Sequence, residues 1–384
     1  MARPSSLTPE RCCYHGVLDT VLRMQPHKRT VLQQSLLEWY DVHQRDLPWR
    51  NVTDPYPVWI SEVMLQQTQV QTVIPYYLRF LEHFPNIVGL AQADTDALLR
   101  LWAGLGYYSR ARNLQKAARI IVQQFGGEFP RNYSDVLALP GVGRYTAAAI
   151  VSIAFGQSYA VLDGNVSRVL ARLLSISGDP KSSAVQNQLW AAAQQLLPRA
   201  RPGDFNQAVM ELGATVCSPR QPRCLLCPWT QQCLARQRGL QEVLPEKSRR
   251  EKTQKLRQAA VAICHRGRFL IVCRSDKRLL KGFWEFPSTE LREQRSSAKI
   301  MKRLLSEIYG LRVDSVDPLI TVRHTITTRR IELQVFRAKL VGVVSAKLNK
   351  PDYRWVRLKD MGQYAFASAS RRIVEELNRV AEVR

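Results

Sequence analysis

The chain has 384 residues, more than a single hydrophobic core usually holds, and this length predicts two domains joined by a connector. Its 56 Lys and Arg residues outnumber its 32 Asp and Glu residues, and the resulting charge of +24 favours a polyanionic partner such as nucleic acid. No apolar run approaches the roughly 20 residues of a membrane span, so we expect no membrane contact. A solvated basic surface without a ligand would show the same charge, so the motifs must decide between the two.

The cysteines and the N-terminal residues indicate the compartment. Four of the eight cysteines lie between Cys217 and Cys233 and the rest are scattered, which is a poor pattern for disulfides. Residues 1–29, an N-terminal extension, are rich in arginine and lack the apolar core of a secretory signal. We therefore expect a reducing compartment: the bacterial cytoplasm, or the nucleus or mitochondrion of a eukaryote. A role of the extension in organelle targeting stays open.

The apolar spacing divides the chain into three further parts. Residues 30–234 are predicted to form an all-α domain, because apolar residues recur every three or four positions between Pro and Gly breaks. Residues 235–255 are charged and predict an exposed connector. Residues 256–384 predict an α+β domain, with a helix at about 297–309 and four strands that begin near Gln258, Arg268, Arg330 and Tyr353.

One helix of the first domain carries a candidate acid. The segment 58–70 is predicted to be helical throughout and to place Glu62, Leu65, Gln66 and Gln69 on one face. In an active site such a face offers a carboxylate for proton transfer, amides for base edges and an apolar wedge for the base stack. On an isolated surface helix the same residues would be ordinary.

A glycine turn precedes a second helix rich in alanine. Gly141 and Gly143 allow a close approach of backbone to a ligand, and the free N–H groups at the helix start suit a phosphate. Many such turns merely lead into a helix. Asp163, which lies eighteen residues after Tyr145, begins another helical pattern, where an isolated Asp is typically an N-cap.

The strongest single signal is a cluster of four cysteines. Their spacing, Cys217-x6-Cys224-x2-Cys227-x5-Cys233, lets four thiols turn inward around one centre. The ligand type allows either a zinc ion held by four thiolates or an iron–sulfur cluster. Four buried structural cysteines without a metal are the remaining alternative.

These features occur together in a known family. The order of glycine turn, aspartate and cysteine spacing resembles the helix-hairpin-helix DNA glycosylases that carry a [4Fe–4S] cluster, and within them the MutY-type adenine DNA glycosylases. The resemblance covers residues 30–233. The segments that carry it are Arg45-Asp-Leu-Pro-Trp-Arg50, Glu62-Val-Met-Leu-Gln-Gln-Thr68, Gly104-Leu-Gly-Tyr-Tyr-Ser-Arg110, Gly141-Val-Gly-Arg-Tyr-Thr146 and Leu162-Asp-Gly-Asn-Val-Ser-Arg168.

The resemblance implies a role for each matching residue. Glu62 is the implied general acid that protonates adenine, and Asp163 the carboxylate that faces the sugar as it becomes an oxocarbenium ion. Tyr145, where related bifunctional enzymes have a lysine nucleophile, implies base removal without efficient strand cleavage. The other implied residues are Asn165 beside Asp163; Arg45, Trp49 and Arg50 around the flipped adenine; Gln67 and Tyr107 at the opposite base and opened stack; Leu65, Gln66, Gly141 and Gly143 on the DNA; and the four cysteines on the [4Fe–4S] cluster.

The second domain resembles the Nudix-like domain with which this family inspects oxidised guanine. Its Nudix helix motif runs from Arg303 to Leu311, where Leu304 and Ile308 replace two of three glutamates and remove ligands for a divalent cation. The family's Phe-Ser-His loop reads Ile326-Thr327-Thr328 here, so Thr327 is the residue left to contact the lesion. A weaker preference for oxidised guanine, or one built differently, is therefore open.

The sequence as a whole predicts a monomeric DNA glycosylase that removes adenine opposite 8-oxoguanine or guanine in duplex DNA. The first rival is the same scaffold acting on another lesion, such as thymine opposite guanine or an oxidised pyrimidine. The second is a nucleotide phosphohydrolase centred on the C-terminal domain. The third is a DNA-binding iron–sulfur protein with a decayed site, against which the presence of both Glu62 and Asp163 counts.

Overall fold

The protein is described here by a computed structural model that covers residues 25–246, 253–274, 282–291, 297–326, 328–342, 348 and 350–382. The density of internal contacts divides these residues into two compact units. The first contains residues 25–92 and 113–246, and the second contains residues 93–112 and the described residues from 253 onward. Over the described ranges, none of the helices is both long and apolar enough to cross a membrane.

The described residues from 25 to 246 are mostly helical, as predicted for residues 30–234. Its helices are α1 (Pro26–His43), α2 (Pro55–Leu65), α3 (Val70–His83), α4 (Ile87–Gln92), α5 (Thr95–Trp102), α6 (Ser109–Phe125), α7 (Tyr133–Ala138), α8 (Arg144–Phe155), α9 (Gly164–Leu173), α10 (Ser183–Leu196), α11 (Pro202–Thr215) and α12 (Leu234–Gln237). A short 3-10 helix, Cys224–Leu226, lies among the cysteines.

Local sequence signals fix the helices that later carry the site. Helix α2 begins at Pro55, and the side chain of Asp54 accepts a hydrogen bond from the backbone N–H of Tyr56. Helix α8 ends at Gly156, whose φ of 65° is the left-handed conformation that glycine adopts without strain. Helices α1, α8, α9, α10 and α11 bury their apolar faces in one core that contains Leu36, Leu170 and Leu212.

The predicted continuation of helix α2 to residue 70 is wrong. The helix ends at Leu65, Gln66 leaves the helical conformation and Gln67 has a φ of 57°. Because a left-handed residue cannot continue an α-helix, the chain turns here and restarts at Gln69, the N-cap of α3. The polar residues after Leu65 therefore form a loop rather than a helical face.

Among its described residues, the second unit contains a seven-stranded sheet. Its central order is β3-β2-β1-β6-β5, with β4 beside β1 and β7 beside β2; β1 and β6 pair in parallel, and the other named pairs are antiparallel. The strands are β1 (Gln254–His265), β2 (Arg268–Cys273), β3 (Trp284–Glu285), β4 (Ser288–Glu290), β5 (Val313–Ile326), β6 (Arg329–Leu340) and β7 (Tyr353–Arg357).

A helix packs on each face of this sheet. Helix α13 (Ser297–Glu307) buries Met301 and Leu305 against one face, and helix α14 (Ser368–Glu382) buries Ile373 and Leu377 against the other. The four predicted strands and the predicted helix are confirmed, and so is the α+β class of this part of the chain.

The degenerate Nudix motif begins on α13, whose last residue is Glu307, and continues beyond it to Leu311. Leu304, in place of a glutamate, packs into the core between the helix and the sheet, while Ile308 is exposed. Arg303 and Glu307 form an ion pair on the outer surface, with 2.7 Å between Nε and Oε1. At position 304 the helix thus has a core contact where a cation ligand would stand.

Candidate active site

A cavity of about 580 Å³ lies in the first unit between helices α2, α8, α9 and α11. It also borders the loop that precedes α2 and the loop that follows it. The residues singled out from the sequence that line it are Arg45, Trp49, Arg50, Glu62, Leu65, Gln66, Gln67, Tyr145, Asp163 and Asn165. Segments that are far apart in the chain thus meet around a single space.

Glu62 lies on α2 with 6 % of its surface exposed. The Tyr145 hydroxyl donates a hydrogen bond to its Oε2 at 2.8 Å. Burial raises the pKa of Glu62 to about 7; the bond from Tyr145 opposes this shift, and the negative charge of Asp163 adds to it. A substantial fraction of this carboxyl is therefore protonated near neutral pH and can donate a proton.

Asp163 is the N-cap of α9 and lines the same cavity, so the capping role and the cavity position coexist. Its Oδ1 accepts the backbone N–H of Val166 at 2.7 Å, and its Oδ2 accepts the amide of Asn165 at 3.2 Å. Burial raises the pKa of Asp163, while these two bonds and the Arg168 guanidinium favour the ionised form. The partial positive charge at the helix N-terminus acts in the same direction.

A buried ion-pair network forms another wall of the cavity, and two of its members were missed in the sequence. Glu211, 1 % exposed on α11, accepts hydrogen bonds from Arg45 Nη2 at 3.1 Å and from Arg50 Nη2 at 2.6 Å. Gln207 accepts a further bond from Arg50 Nη1 at 2.6 Å. In the sequence they are two polar residues of a helix that also contains Asp204, Asn206 and Thr215, so nothing local indicates a site.

Arg168 connects the loop of Asp163 to the cysteine segment. Its guanidinium donates to Asn165 Oδ1 at 2.7 Å and to the backbone carbonyls of Gly213 and Cys217 at 2.9 and 2.8 Å. Asn165 in turn packs against Gly213, where an added Cβ would lie 2.7 Å from the Cβ of Asn165. Helices α9 and α11 can therefore approach closely only because residue 213 is glycine.

The four predicted cysteines line a second cavity in the same unit. Their thiols share it with Trp229 and with the guanidinium of Arg172, whose Nη1 lies 3.3 Å from Cys217 Sγ. Among the described residues, no group of three or more His, Cys, Asp or Glu side chains is close enough to hold a single metal ion. Four thiols that line one cavity are the donor type of either a zinc ion or an iron–sulfur cluster.

The remaining predicted residues lie elsewhere. Gly141, with a φ of 80°, and Gly143, the N-cap of α8, form the turn before that helix and do not line the large cavity. Tyr107 belongs to the second unit and is half-exposed, with a φ of 46°. Thr327 lies outside the described residues.

Comparison with known proteins shows which family has this arrangement. A family model described as HhH-GPD superfamily base excision DNA repair protein matches residues 60–195, and one described as NUDIX domain matches residues 258–376. An adenine DNA glycosylase from Homo sapiens is 39% identical to this chain. The match covers 90% of this chain and 73% of the human protein. The chain belongs to the adenine DNA glycosylase family.

Other relatives agree with this placement. An adenine DNA glycosylase from Buchnera aphidicola subsp. Schizaphis graminum is 39% identical over 67% of this chain and 75% of its own length. The structure of a thermostable thymine-DNA glycosylase matches with a TM-score of 0.51 and 31% identity, covering 55% of this chain and 98% of that one. This glycosylase is thus a helix-hairpin-helix enzyme of base excision repair followed by a Nudix-like α+β domain.

Proposed function

We propose that this glycosylase hydrolyses the N-glycosidic bond of adenine mispaired with 8-oxoguanine or guanine in duplex DNA, without cutting the strand. One observation carries the proposal: two carboxylates with different surroundings, the buried Glu62 and the part-buried Asp163, border one cavity of a size that can accept a flipped nucleotide.

The two carboxylates divide the chemistry. Glu62, held partly protonated by burial, donates its proton to the adenine ring, so that the base departs as a neutral leaving group. Asp163, whose ionised form is favoured by the Val166 N–H and the Asn165 amide, stabilises the positive charge that develops on the sugar. Water then adds to the sugar cation and gives up a proton to the Glu62 carboxylate left by the first step, which completes the hydrolysis.

Tyr145 supports base removal without strand cleavage. Its phenol lies 2.8 Å from Glu62, and burial raises its pKa well above the ordinary value, so it stays a neutral hydrogen-bond donor. The described lining of the cavity contains no lysine that could form a Schiff base with the sugar. We therefore propose an abasic site, rather than a cut strand, as the product.

The test is single-turnover cleavage of matched duplexes with adenine opposite 8-oxoguanine or guanine, with abasic sites revealed by alkali. Wild type should release adenine from both duplexes and faster opposite 8-oxoguanine, and Glu62→Gln should lose this activity. Strand cleavage before alkali would contradict the monofunctional proposal. If the protein bound DNA but released no adenine, the proposal that it excises adenine would be overturned.

We further propose that residues 256–384 read the base opposite adenine. The support is the match to a NUDIX domain together with Leu304 on α13 and Ile308 just after its end, where cation ligands would stand, which favours recognition over phosphate hydrolysis. The ratio of rates on 8-oxoguanine and guanine duplexes, measured for wild type and Thr327→Ala, tests this role. An equal ratio in both proteins would mean that Thr327 does not take part in recognising the base opposite adenine.

The four cysteines are proposed to hold a [4Fe–4S] cluster through their thiolates. Their shared cavity, with Arg172 directed at Cys217 Sγ, supplies four sulfur donors and a compensating positive charge. Bound there, the cluster would cross-link residues 217–233 and stabilise that segment. A visible absorption spectrum and four irons per chain would support it, whereas stoichiometric zinc would overturn it.

A further inference from the structure

A methionine that the proposed chemistry does not use borders the candidate active site. Met210 lies on α11, is partly exposed and lines the same cavity as Glu62 and Asp163. We propose that a peroxide oxidises Met210 to its sulfoxide, and that the sulfoxide takes over the hydrogen bond that Tyr145 donates to Glu62. This inference rests on the proposed function only for its effect on adenine release, because the oxidation and the hydrogen bond can be measured without DNA.

The described methionines differ in how accessible their sulfur atoms are. Met64, Met301 and Met361 are at most 1 % exposed. Met210 is the part-buried one of the four, and the cavity that it borders has a volume of about 580 Å³, far more than a water-sized molecule needs. Hydrogen peroxide can therefore reach this sulfur, and among the described methionines we expect Met210 to be oxidised first.

The Tyr145 hydroxyl has two acceptors but only one proton. It lies 2.8 Å from Glu62 Oε2 and 3.1 Å from Met210 Sδ. A thioether is a weak acceptor and a carboxylate a strong one, so the hydroxyl donates to Glu62. Tyr145 keeps its proton, because burial and the charges of Glu62 and Asp163 raise its pKa well above the ordinary value.

Oxidation changes this competition. Met210 Sδ takes one oxygen atom from hydrogen peroxide: an S–O bond forms, the O–O bond breaks, the sulfur loses two electrons, and the other oxygen leaves with both hydrogens as water. The new oxygen is a polar acceptor on the atom that already contacts the Tyr145 hydroxyl. When the hydroxyl donates to it, Glu62 loses the bond that favours its ionised form.

The remaining charges around Glu62 do not change on oxidation. Asp163 at the start of α9 raises the pKa of Glu62, and Arg50 in the loop before α2 lowers it. Glu211 on α11 is paired with Arg50. A sulfoxide carries no net charge, so the loss of the Tyr145 bond decides the sign: the pKa of Glu62 rises, and the acid stays protonated to a higher pH.

The experiment compares wild type with two leucine variants, each treated with dilute hydrogen peroxide. Met210→Leu removes the proposed site with little change of side-chain volume, and Met361→Leu removes a buried methionine of the second unit as the matched control. Peptide mass spectrometry locates the added oxygen. The infrared band of protonated carboxyls, recorded from about pH 6 to 9, follows Glu62, because ordinary carboxyls are ionised in this range and Glu62→Gln identifies its share.

In wild type we expect one oxygen on Met210 and a midpoint of Glu62 protonation that moves to higher pH by about one pH unit. Met361→Leu should respond like wild type, whereas the midpoint in Met210→Leu should stay where it was before treatment. Cysteines and a bound cluster meet the peroxide in all three proteins, so their damage cannot produce this difference. An unmodified Met210, an unmoved midpoint in wild type, or an equal movement in Met210→Leu would overturn the proposal.

Tyr145→Phe tests the step through the hydroxyl. Oxidation of Met210 in this variant should leave the Glu62 midpoint in place, because no hydroxyl remains to be redirected. A movement as large as in wild type would overturn this step.

Single-turnover adenine release separates this inference from the proposed function. Its decline above about pH 7 should move to higher pH in peroxide-treated wild type but not in treated Met210→Leu. A decline that stayed in place while the infrared midpoint moved would overturn the effect on adenine release. If untreated wild type released no adenine while the midpoint still moved on oxidation, the proposed function would fail and the Met210 site would stand.

Discussion

Glu62 shows how burial alone prepares a residue for its proposed chemistry. A carboxyl with 6 % of its surface exposed loses hydration in its charged form, and its pKa rises to about 7. As a general acid it works only while protonated, so its activity should fall as the pH rises through that value. The Tyr145 hydroxyl stabilises the ionised form and so holds the pKa lower than burial alone would.

The first prediction follows from the raised pKa of Glu62. The single-turnover rate at saturating enzyme should decline above about pH 7 in wild type. Tyr145→Phe removes the donor that favours the carboxylate, so the pKa of Glu62 should rise and the decline should move to higher pH, whatever the change in the plateau. Rates measured from about pH 5 to 9 test this. A decline displaced to lower pH would contradict the role of the hydrogen bond.

The second prediction concerns Glu211, whose charge balances two arginines. Glu211→Gln leaves the 9 %-exposed Arg50 side chain without its buried counter-charge, which should lower the free energy of unfolding by about 3 kcal/mol. The uncompensated guanidinium should also lower the pKa of Glu62, because Arg50 already acts in that direction. Urea unfolding and the pH profile measure the two effects.

An exposed ion pair provides the control. Asp41 and Arg201 contact each other at 2.7 Å, but both side chains are more than two-fifths exposed. Asp41→Asn should therefore cost less than about 1 kcal/mol and leave the pH profile unchanged. Equal destabilisation by the two substitutions would mean that the buried ion pair of Glu211 contributes no more to stability than the exposed pair of Asp41.

At the scale of elements, the close contact of α9 and α11 decides where Asn165 lies. Gly213→Ala would place a methyl group 2.7 Å from the Asn165 Cβ and 3.1 Å from its backbone oxygen, so one helix must shift. We expect a loss of about 1–3 kcal/mol in stability from overpacking. The rate of adenine release should also fall, because Asn165 holds the Asp163 carboxylate.

Gly89→Ala is the matched control for Gly213→Ala. Gly89 also lies in a helix, and an added Cβ there meets only Asn86 Oδ1 at 3.4 Å, an ordinary contact. Alanine should stabilise this helix by about 0.5–1 kcal/mol and leave the rate unchanged. Thermal unfolding and single-turnover rates of both variants distinguish a packing effect from a general effect of alanine.

The elements also show what the sequence could and could not predict. Glu62 and Asp163 were identified because the motifs around them resemble those of a known family; by themselves their patterns indicate an ordinary helix face and an N-cap. Gln67 was placed on a helix because nothing local announces its left-handed φ. Glu211 was missed because its significance depends on two arginines more than 150 positions away. Strand β5 was missed because Asp314, Asp317 and Pro318 interrupt its apolar alternation, and its pairing contains irregular steps.

At the scale of the whole molecule, the two compact units do not follow the order of residues along the chain. The segment Ala93–Arg112 was predicted to belong to the helical domain, yet its contacts place it with the C-terminal residues. The ring centroids of Tyr108 and Phe283 lie 4.1 Å apart, and Arg100 donates to the Gln363 carbonyl at 2.8 Å. Such long-range packing leaves no periodic signal in a local window of sequence.

This grouping leads to the last prediction. Leu305 is fully buried between α13 and the sheet, so Leu305→Ala should destabilise the second unit by about 2–5 kcal/mol. Peptide-resolved hydrogen exchange should then accelerate in residues 253–382 and equally in α5, although α5 precedes α13 by about 200 residues. Leu189→Ala in the core of the first unit should accelerate exchange there instead. If α5 followed Leu189→Ala rather than Leu305→Ala, the segment would belong energetically to the helical domain, as its sequence predicts.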